Sequence, residues 1–194
     1  VENKHFAAAY NVMLGYEIPV VTSPTIKAFF LSASGDPNRS PVDPANVEHT
    51  AYLPLFPTRH VMLGRMDIFN QSNIWSTGFE LSLTPYEGVT VEFQYSYLSL
   101  VDKYGDIPGG HGMVTNRLYP SRMDIGNEID LSAFWDVNAN FALGGGYSVL
   151  LPGGAIEDQV RPEREVQEGD QLQTYVYPGG DPAHWFWLQA DFRF

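Results

Sequence analysis

Residues 89–97 read VTVEFQYSY, so apolar or aromatic side chains alternate strictly with polar ones. Successive side chains of a β-strand point to opposite faces of a sheet, and this stretch therefore predicts a strand with two unlike faces. The apolar face carries Val89, Val91, Phe93, Tyr95 and Tyr97. The polar face carries Thr90, Glu92, Gln94 and Ser96.

Six further segments follow a similar pattern on both sides of this stretch, and we predict a strand in each of them. They are residues 6–18, 25–34, 75–83, 125–136, 141–149 and 184–194. In the segment after residue 124, alternation places Ile125 on the same face as Ile129 and Leu131. At about 10 to 14 residues each, tilted strands of this kind cover the apolar band of a membrane, which is about 25 Å tall. Strands of water-soluble proteins average only about 5 to 6 residues.

The connections between these strands alternate in length. The short ones are residues 19–23, 85–88 and 137–139, and the long ones are residues 35–72, 102–123 and 152–182. Short periplasmic turns and long extracellular loops are typical of outer-membrane barrels. We therefore predict an all-β, antiparallel transmembrane β-barrel, of which residues 1–194 form one portion of a single domain with about seven strands.

The composition excludes several other classes of protein. With 23 acidic and 11 basic residues the net charge is −12, which argues against nucleic acid as a partner because such binding relies on Lys and Arg. No run approaches the roughly 18 apolar residues that a spanning helix needs. The absence of cysteine fits a protein that crosses an oxidising periplasm. An aromatic content of 14% suits girdles at the two membrane surfaces.

The sequence contains no motif that indicates catalysis or metal binding. None of its five histidines lies in an HExxH motif or beside GxSxG. The glycines 144–146 are not followed by the lysine of a phosphate-binding loop. We therefore expect no enzymatic activity, no catalytic residue, no bound metal and no cofactor.

The last predicted strand ends in an aromatic residue, Phe194. A terminal aromatic on an alternating strand is similar to the signal by which the outer-membrane assembly machinery recognises its clients; the alternative is an edge strand of a soluble sheet. If Phe194 is periplasmic, alternation of the seven strands places Val1 outside the cell. Bacterial barrels have an even number of strands and periplasmic termini, so we expect missing N-terminal strands or another chain to complete the cylinder.

The polar faces supply the candidate pore-lining residues. If these faces border the lumen, the apolar faces contact the outer-membrane lipid. These candidates are Glu17, Glu80, Glu92, Glu128, Asp130, Asp191 and Arg193. Glu128 and Asp130 are the foremost of them because they lie two residues apart on one face. The alternative for each carboxylate is an ion pair or hydrogen bond within the wall, and we expect Asp191 and Arg193 to pair along the last strand. Carboxylates that line the lumen would favour cations or neutral solutes.

Several short pieces of sequence, in order along the chain, together resemble the alginate export family of outer-membrane porins. They are Ser34-Gly35-Asp36, residues 55–60 (LFPTRH), Gly64, Asp67, Asn73, residues 126–131 (GNEIDL), Gly146-Tyr147 and Leu151-Pro152-Gly153. The resemblance covers most of the chain and matches the C-terminal half of the family's domain. It implies a large monomeric barrel of about 16 to 18 strands. It also implies that loops block or shape the pore, and that basic residues line a passage for an anionic polysaccharide.

Carried over to this sequence, the resemblance places loop or constriction candidates in the first long connection. They are Arg59, His60, Arg65 and Asp67. Together these features predict an outer-membrane porin or export channel through which a hydrophilic solute or polysaccharide passes passively. The alternative is a structural barrel that scaffolds or anchors another envelope component.

Overall fold

Seven long strands form one antiparallel sheet in the computed structural model. The structure describes residues 4–36, 48–54, 62–103, 105, 107, 109, 122–157, 164–168, 171–175 and 180–193. The strands of the sheet are β2 (Ala9–Glu17), β3 (Thr25–Ala33), β5 (Ile74–Tyr86), β6 (Val89–Leu100), β7 (Asp124–Asn138), β8 (Phe141–Pro152) and β11 (Ala183–Phe192). Their order in the sheet is β11-β8-β7-β6-β5-β3-β2, so each strand pairs with the next long strand along the chain. This confirms the seven predicted strands and their antiparallel arrangement.

The long connections contain short elements that alternation did not reveal. In the first connection β4 (Glu48–His49) pairs in parallel with β1 (Lys4–His5) near the start of the chain. The third connection contains a four-residue helix, α1 (Gly154–Glu157), and a hairpin of β9 (Arg164–Glu168) and β10 (Gln171–Tyr175). Elements this short give no periodic signal over a window of residues. Within the described ranges, no helix is long and apolar enough to span a membrane.

The two faces of the sheet have opposite chemistry, and the apolar face is the uncovered one. On it Tyr16, Leu131 and Phe186 are 67%, 51% and 74% exposed. The other face, which we call the polar face, buries Gln94, Glu128, Asp130, Ser132 and Ser148 almost completely. A soluble sheet buries its apolar side chains and solvates its polar ones. The prediction that the apolar faces do not pack into the protein's own interior therefore agrees with the structure.

One residue of β7 lies on the opposite face from the one that alternation predicted. Leu98 is opposite Gly126 and Ser99 is opposite Asp124, so the register shifts by one residue and leaves Ile125 without a partner. A bulge of this kind moves a side chain across the sheet. Ile125 is fully buried in an apolar cluster, whereas the sequence placed it on the outer face. Strict counting of alternate residues was wrong at this position because it assumes an uninterrupted ladder.

The apolar cluster lies at the end of the sheet from which the long connections leave. Its members from the strands are Phe29, Leu31, Ile74, Leu98, Leu100, Ile125 and Leu150. Its members from the connections are Met62, Leu63, Phe69, Ile107 and Ala155. These connections therefore fold back onto the polar side of the sheet, where burial of apolar surface holds them in place.

Asn73 ties two of the long connections together at the same end. Its Nδ2 donates to the carbonyl of Asp102 at 3.0 Å, and its Oδ1 accepts from the Asp102 amide at 2.8 Å. A Cβ at Gly35 or at Gly105 would overlap the Asn73 amide, so these glycines make room for it. Asn73 itself has φ of 48°, a conformation that asparagine tolerates better than most residues. The positive φ and the two hydrogen bonds together account for an asparagine at residue 73.

The described strands do not close into a cylinder. β2 and β11 lie at opposite edges of the sheet, and within the described residues neither pairs with a further strand on its outer side. The sheet is therefore open at both edges. An open seven-stranded sheet agrees with a partial barrel, and the total number of strands stays a prediction.

We predict that Asn73→Gly lowers the free energy of unfolding by about 1–3 kcal/mol, because the Asp102 backbone loses two partly buried hydrogen bonds while the backbone of residue 73 remains unstrained. Asn73→Ala should lower the free energy of unfolding further, since alanine disfavours a positive φ. Ser23→Gly is the control, because Ser23 also has a positive φ, of 39°, but is exposed. Chemical unfolding of the full-length protein checks this. Equal stabilities for the Asn73 and Ser23 variants would contradict it.

Candidate pore-lining face

Side chains from five adjacent strands form a continuous row across the polar face. Within the row, neighbouring residues lie directly opposite one another in the register of the sheet. The row runs Lys27, Glu80, Gln94, Asp130 and Ser148. Two predicted lining residues, Glu80 and Asp130, are thus brought onto one level. Gln94 and Ser148 were not singled out from the sequence, because register between strands cannot be read from one strand at a time.

Two of the predicted carboxylates are paired with cations on this face. Lys27 Nζ lies 2.7 Å from Glu80 Oε1, and the side chains are 35% and 12% exposed. Arg65, from the first long connection, forms an ion pair and hydrogen bond with Glu92. Its guanidinium also lies over the ring of Phe134, 5.7 Å from the ring centre. Such pairs are what the alternative interpretation of these acids expected, namely charge compensation within the wall.

Residues 62–69, which we call the covering segment, lie across the polar face and contact β5 and β7. Ser76 Oγ donates to the Met62 carbonyl at 2.5 Å, and the Met66 amide donates to Glu128 Oε1 at 2.8 Å. A Cβ at Gly64 would overlap the Glu128 carboxylate, and Gly64 has φ of +87°. Only glycine fits such a backbone without strain so close to the wall.

The covering segment buries the two foremost candidates. Glu128 is 0% exposed and Asp130 is 1% exposed. In this arrangement both face the covering segment and not an open passage. Their role in lining a pore therefore stays a prediction, which requires the covering segment to move.

The remaining candidates are separated from this cluster. Glu17 is exposed at the end of β2, and Asp191 is exposed and accepts hydrogen bonds from Gln189 at 3.0 and 2.9 Å. Arg193 lies 3.7 Å from Asp136, not beside Asp191, so the expected pairing of Asp191 with Arg193 is wrong. Although Asp191 is only two residues away along the chain, the carboxylate that Arg193 contacts comes from β7, two strands away in the sheet.

Of the four loop or constriction candidates, two lie in the covering segment and two fall outside the described residues. Arg65 lies in the covering segment and pairs with Glu92, and its role in a constriction stays a prediction. Asp67 lies in the same segment with φ of 55°. Arg59 and His60 fall outside the described residues, as does Phe194, on which the interpretation of the C-terminus depended.

Aromatic side chains pack against one another on the apolar face, both near the ends of the strands and between them, where Phe79 contacts Phe93 and Tyr95. Near the long connections, Tyr10, Phe30, Trp75 and Tyr97 form a chain with ring centres 5.9, 6.1 and 5.3 Å apart. Near the short turns, Phe141 stacks on Phe192 at 4.9 Å. The aromatic side chains at the ends of the strands are compatible with girdles at the two membrane surfaces, and those between them extend the apolar surface.

The described residues do not bring together three or more His, Cys, Asp or Glu side chains in a way that could hold a metal ion. The chemistry of this face therefore rests on paired charges, hydroxyls and one amide. Such groups bind and orient polar solutes by charge and hydrogen bonding.

An antiparallel meander with an exposed apolar face and a polar face covered by a loop is consistent with part of a β-barrel. A family model described as Alginate export matches residues 1–168. The chain belongs to this family, as the resemblance of its motifs predicted. A search of curated proteins found no match. Membership implies a general role in export, and the family is one of transport proteins without known enzymatic activity.

We predict that Gly64→Ala displaces the covering segment, because its Cβ would overlap Glu128. Displacement should expose the peptide bond after Arg65 to trypsin, with the cleavage site read by mass spectrometry. Gly180→Ala is the control: Gly180 has φ of +92°, but its Cβ would meet nothing closer than 3.4 Å. Gly64→Ala should therefore be less stable than Gly180→Ala by about 1–3 kcal/mol, the usual cost of overpacking. Identical trypsin resistance in the two variants would argue against the contact.

Proposed function

We propose that this chain forms part of the wall of an outer-membrane β-barrel, whose polar face borders an export channel for a hydrophilic solute or polysaccharide. The observation that carries this proposal is the inversion of the two faces of the sheet. Leu188, for example, is 93% exposed, whereas Glu128 on the other face is fully buried. An apolar surface that extends over seven strands is a liability in water and is stable against lipid tails.

The open edges of the sheet support the same proposal and extend it. Among the described residues, β2 and β11 each have an outer edge whose backbone groups pair with no further strand. In hydrocarbon an unsatisfied backbone group costs several kcal/mol, so open edges do not occur there. We infer that further strands, from the same protein or from another chain, pair with both edges and close the barrel. The assembly machinery of the outer membrane is the proposed partner during insertion.

The covering segment gives the channel its constriction. It is fixed to the wall by the Arg65–Glu92 pair, by Glu128 and by the apolar cluster. Solutes would pass on the side of the covering segment that faces away from the sheet. The width of the channel there depends on how closely the segment packs against the sheet. On the part of the polar face near the covering segment, Glu80, Glu92, Glu128 and Asp130 stand against Lys27 and Arg65, and this excess of acids favours cations and neutral solutes over anions.

Conductance across planar lipid bilayers tests the channel. We expect the full-length protein to conduct, with a reversal potential in a salt gradient that shows a preference for cations. Arg65→Ala should raise the conductance by about twofold or more, because the covering segment loses its ion pair. Arg122→Ala is the control, since Arg122 pairs with Glu157 at 3.0 Å, at a different place in the fold.

Two results would count against this function. A strong preference for anions would contradict an acidic lumen. A full-length protein that never conducts, even as the Arg65→Ala variant, would favour the alternative of a barrel that scaffolds another envelope component.

Two neighbouring residues test which face meets lipid. Leu188 and Gln189 are both exposed and point to opposite faces of β11. In vesicles, Leu188→Arg should lower the free energy of unfolding by about 2–4 kcal/mol, because the charge enters hydrocarbon. Gln189→Arg should change it by less than about 1 kcal/mol, since a lumen residue stays in water. If the two variants lowered the free energy of unfolding by similar amounts, the proposed orientation of the sheet would be refuted.

A further inference from the structure

We propose that Trp185 and Trp187, which we call the tryptophan pair, bind the apolar face of an uncharged sugar ring on the polar side of the sheet. The inference rests on the proposed function, since it takes the polar face to border the channel. It narrows the ligand to a neutral stretch of glycan. In this it departs from the family resemblance, which implied an anionic polysaccharide and basic lining residues.

The tryptophan pair lies on the polar face, although its side chains are aromatic. In the register of the sheet Trp185 is opposite Ser148, and Trp187 is opposite Gly146. Trp185 therefore extends the row that runs through Gln94 and Ser148 to the β11 edge of the sheet. Both indoles are half-buried, so part of each ring is accessible. Lipid does not explain aromatic side chains here, because in the proposed barrel the lipid contacts the other face.

The two indoles continue a row of rings that begins at the covering segment. The ring centres of Trp185 and Trp187 are 6.3 Å apart, and the ring planes are inclined by 32°. Phe134 on β7 packs against Trp187 at 5.6 Å, and the Arg65 guanidinium lies over Phe134. Phe134 thus holds Trp187 in place, while the two indoles remain for a ligand. Their spacing is close to the length of one unit in a pyranose chain, so successive sugars of one glycan can each contact a ring.

Two glycines of β8 allow the Trp187 indole to lie against the sheet. A Cβ at Gly144 would come within 3.2 Å of Trp187 Cζ3, and a Cβ at Gly146 would overlap Trp187 Nε1. The two ends of the indole are thus placed over two successive polar-face positions of one strand. One face of the ring therefore packs on the β8 backbone, and the opposite face is directed away from the sheet. The glycines at 144 and 146, which match no phosphate-binding motif, have a role in this packing.

The indole N–H of Trp187 has no hydrogen-bond partner among the described residues, although its nitrogen is buried. A buried indole nitrogen usually finds an acceptor, because an unsatisfied polar group costs free energy. The position of Trp187 is therefore set by ring packing and not by hydrogen bonding. An aliphatic side chain would fill the space without an unsatisfied donor, so the flat aromatic face itself needs an explanation. A ligand stacked on that face supplies one.

The groups around the tryptophan pair favour an uncharged ligand with hydroxyls at its edge. The excess of acids on the polar face repels the carboxylates of a uronate chain, and Arg65 is already paired with Glu92. A neutral sugar ring presents C–H bonds on its faces, which pack on aromatic rings as other apolar groups do. Its hydroxyls can form hydrogen bonds with Gln189 and Asp191, which are exposed on the same face of β11.

A quaternary ammonium is the other ligand that stacks on indole rings. Such cations are bound in cages, where aromatic rings surround the charge from several sides. The rings here form a row along one surface, and neighbouring planes are inclined by only 32° and 43°. This arrangement offers a track for an extended chain and does not enclose a compact cation.

Titration calorimetry of the full-length protein, in micelles of a detergent without a sugar head group, tests the tryptophan pair. The neutral probes are maltohexaose and cellohexaose, which differ in linkage, and the anionic probe is hexagalacturonate. We expect the better neutral probe to bind at least about tenfold more tightly than hexagalacturonate, because like charges repel. Trp187→Leu should weaken its binding at least about fivefold, since one stacked ring is lost. Trp187→Phe should restore most of the affinity, which a role confined to filling space does not predict.

Trp135→Leu is the matched control, because Trp135 is a tryptophan on the apolar face of β7 and is 50% exposed. It should bind the neutral probe as the wild-type protein does. If Trp187→Leu does not fold, Trp185→Leu makes the same test at the other end of the pair.

Failure of both neutral probes to bind the wild-type protein would overturn the inference. So would tighter binding of hexagalacturonate or of tetramethylammonium, and equal losses in Trp135→Leu and Trp187→Leu. Conductance distinguishes this inference from the proposed function. A protein that conducts but binds neither neutral probe contradicts the tryptophan pair alone. A protein that binds a neutral probe through Trp187 but never conducts supports the pair and contradicts the channel.

Discussion

The contact between the covering segment and Glu128 determines how the rest of the structure is arranged. Glu128 accepts from the Met66 amide, and its carboxylate occupies the space that a Cβ at Gly64 would need. The segment can approach the wall so closely only because residue 64 has no side chain. This approach removes water from the polar face, and the acids there then require partners within the protein. The ion pairs of Glu80 and Glu92 follow from it.

The residues that carried the family resemblance have a common structural purpose. Gly35 makes room for the Asn73 amide, and Gly64 makes room for Glu128. Gly126, with φ of +142°, lies at the bulge that turns Ile125 into the apolar cluster. These residues seat the connections on the sheet. In this chain, these three glycines therefore determine how the connections approach the sheet.

The strands could be predicted from the sequence because alternation is a local signal. Each long strand shows it, and the alternation of short and long connections gave the meander. The bulge at Ile125 could not be predicted from the sequence, because it depends on the partner strand. The row of side chains through Gln94 and Ser148 could not be predicted for the same reason, since the register is a property of paired strands. Contacts between the covering segment and β7 join residues more than sixty positions apart, and no periodic pattern reports them.

The two ends of the polar face therefore have different physical chemistry. Near the long connections, the covering segment and the apolar cluster exclude water, and each charge must be matched. Near the short turns, Asp136, Asp191 and Arg193 are exposed, and water screens them. Buried charges act strongly at short range, whereas exposed ones act weakly and depend on salt. The covered end of the polar face therefore holds charges in fixed pairs, whereas the charges at the open end interact through water and depend on the salt concentration.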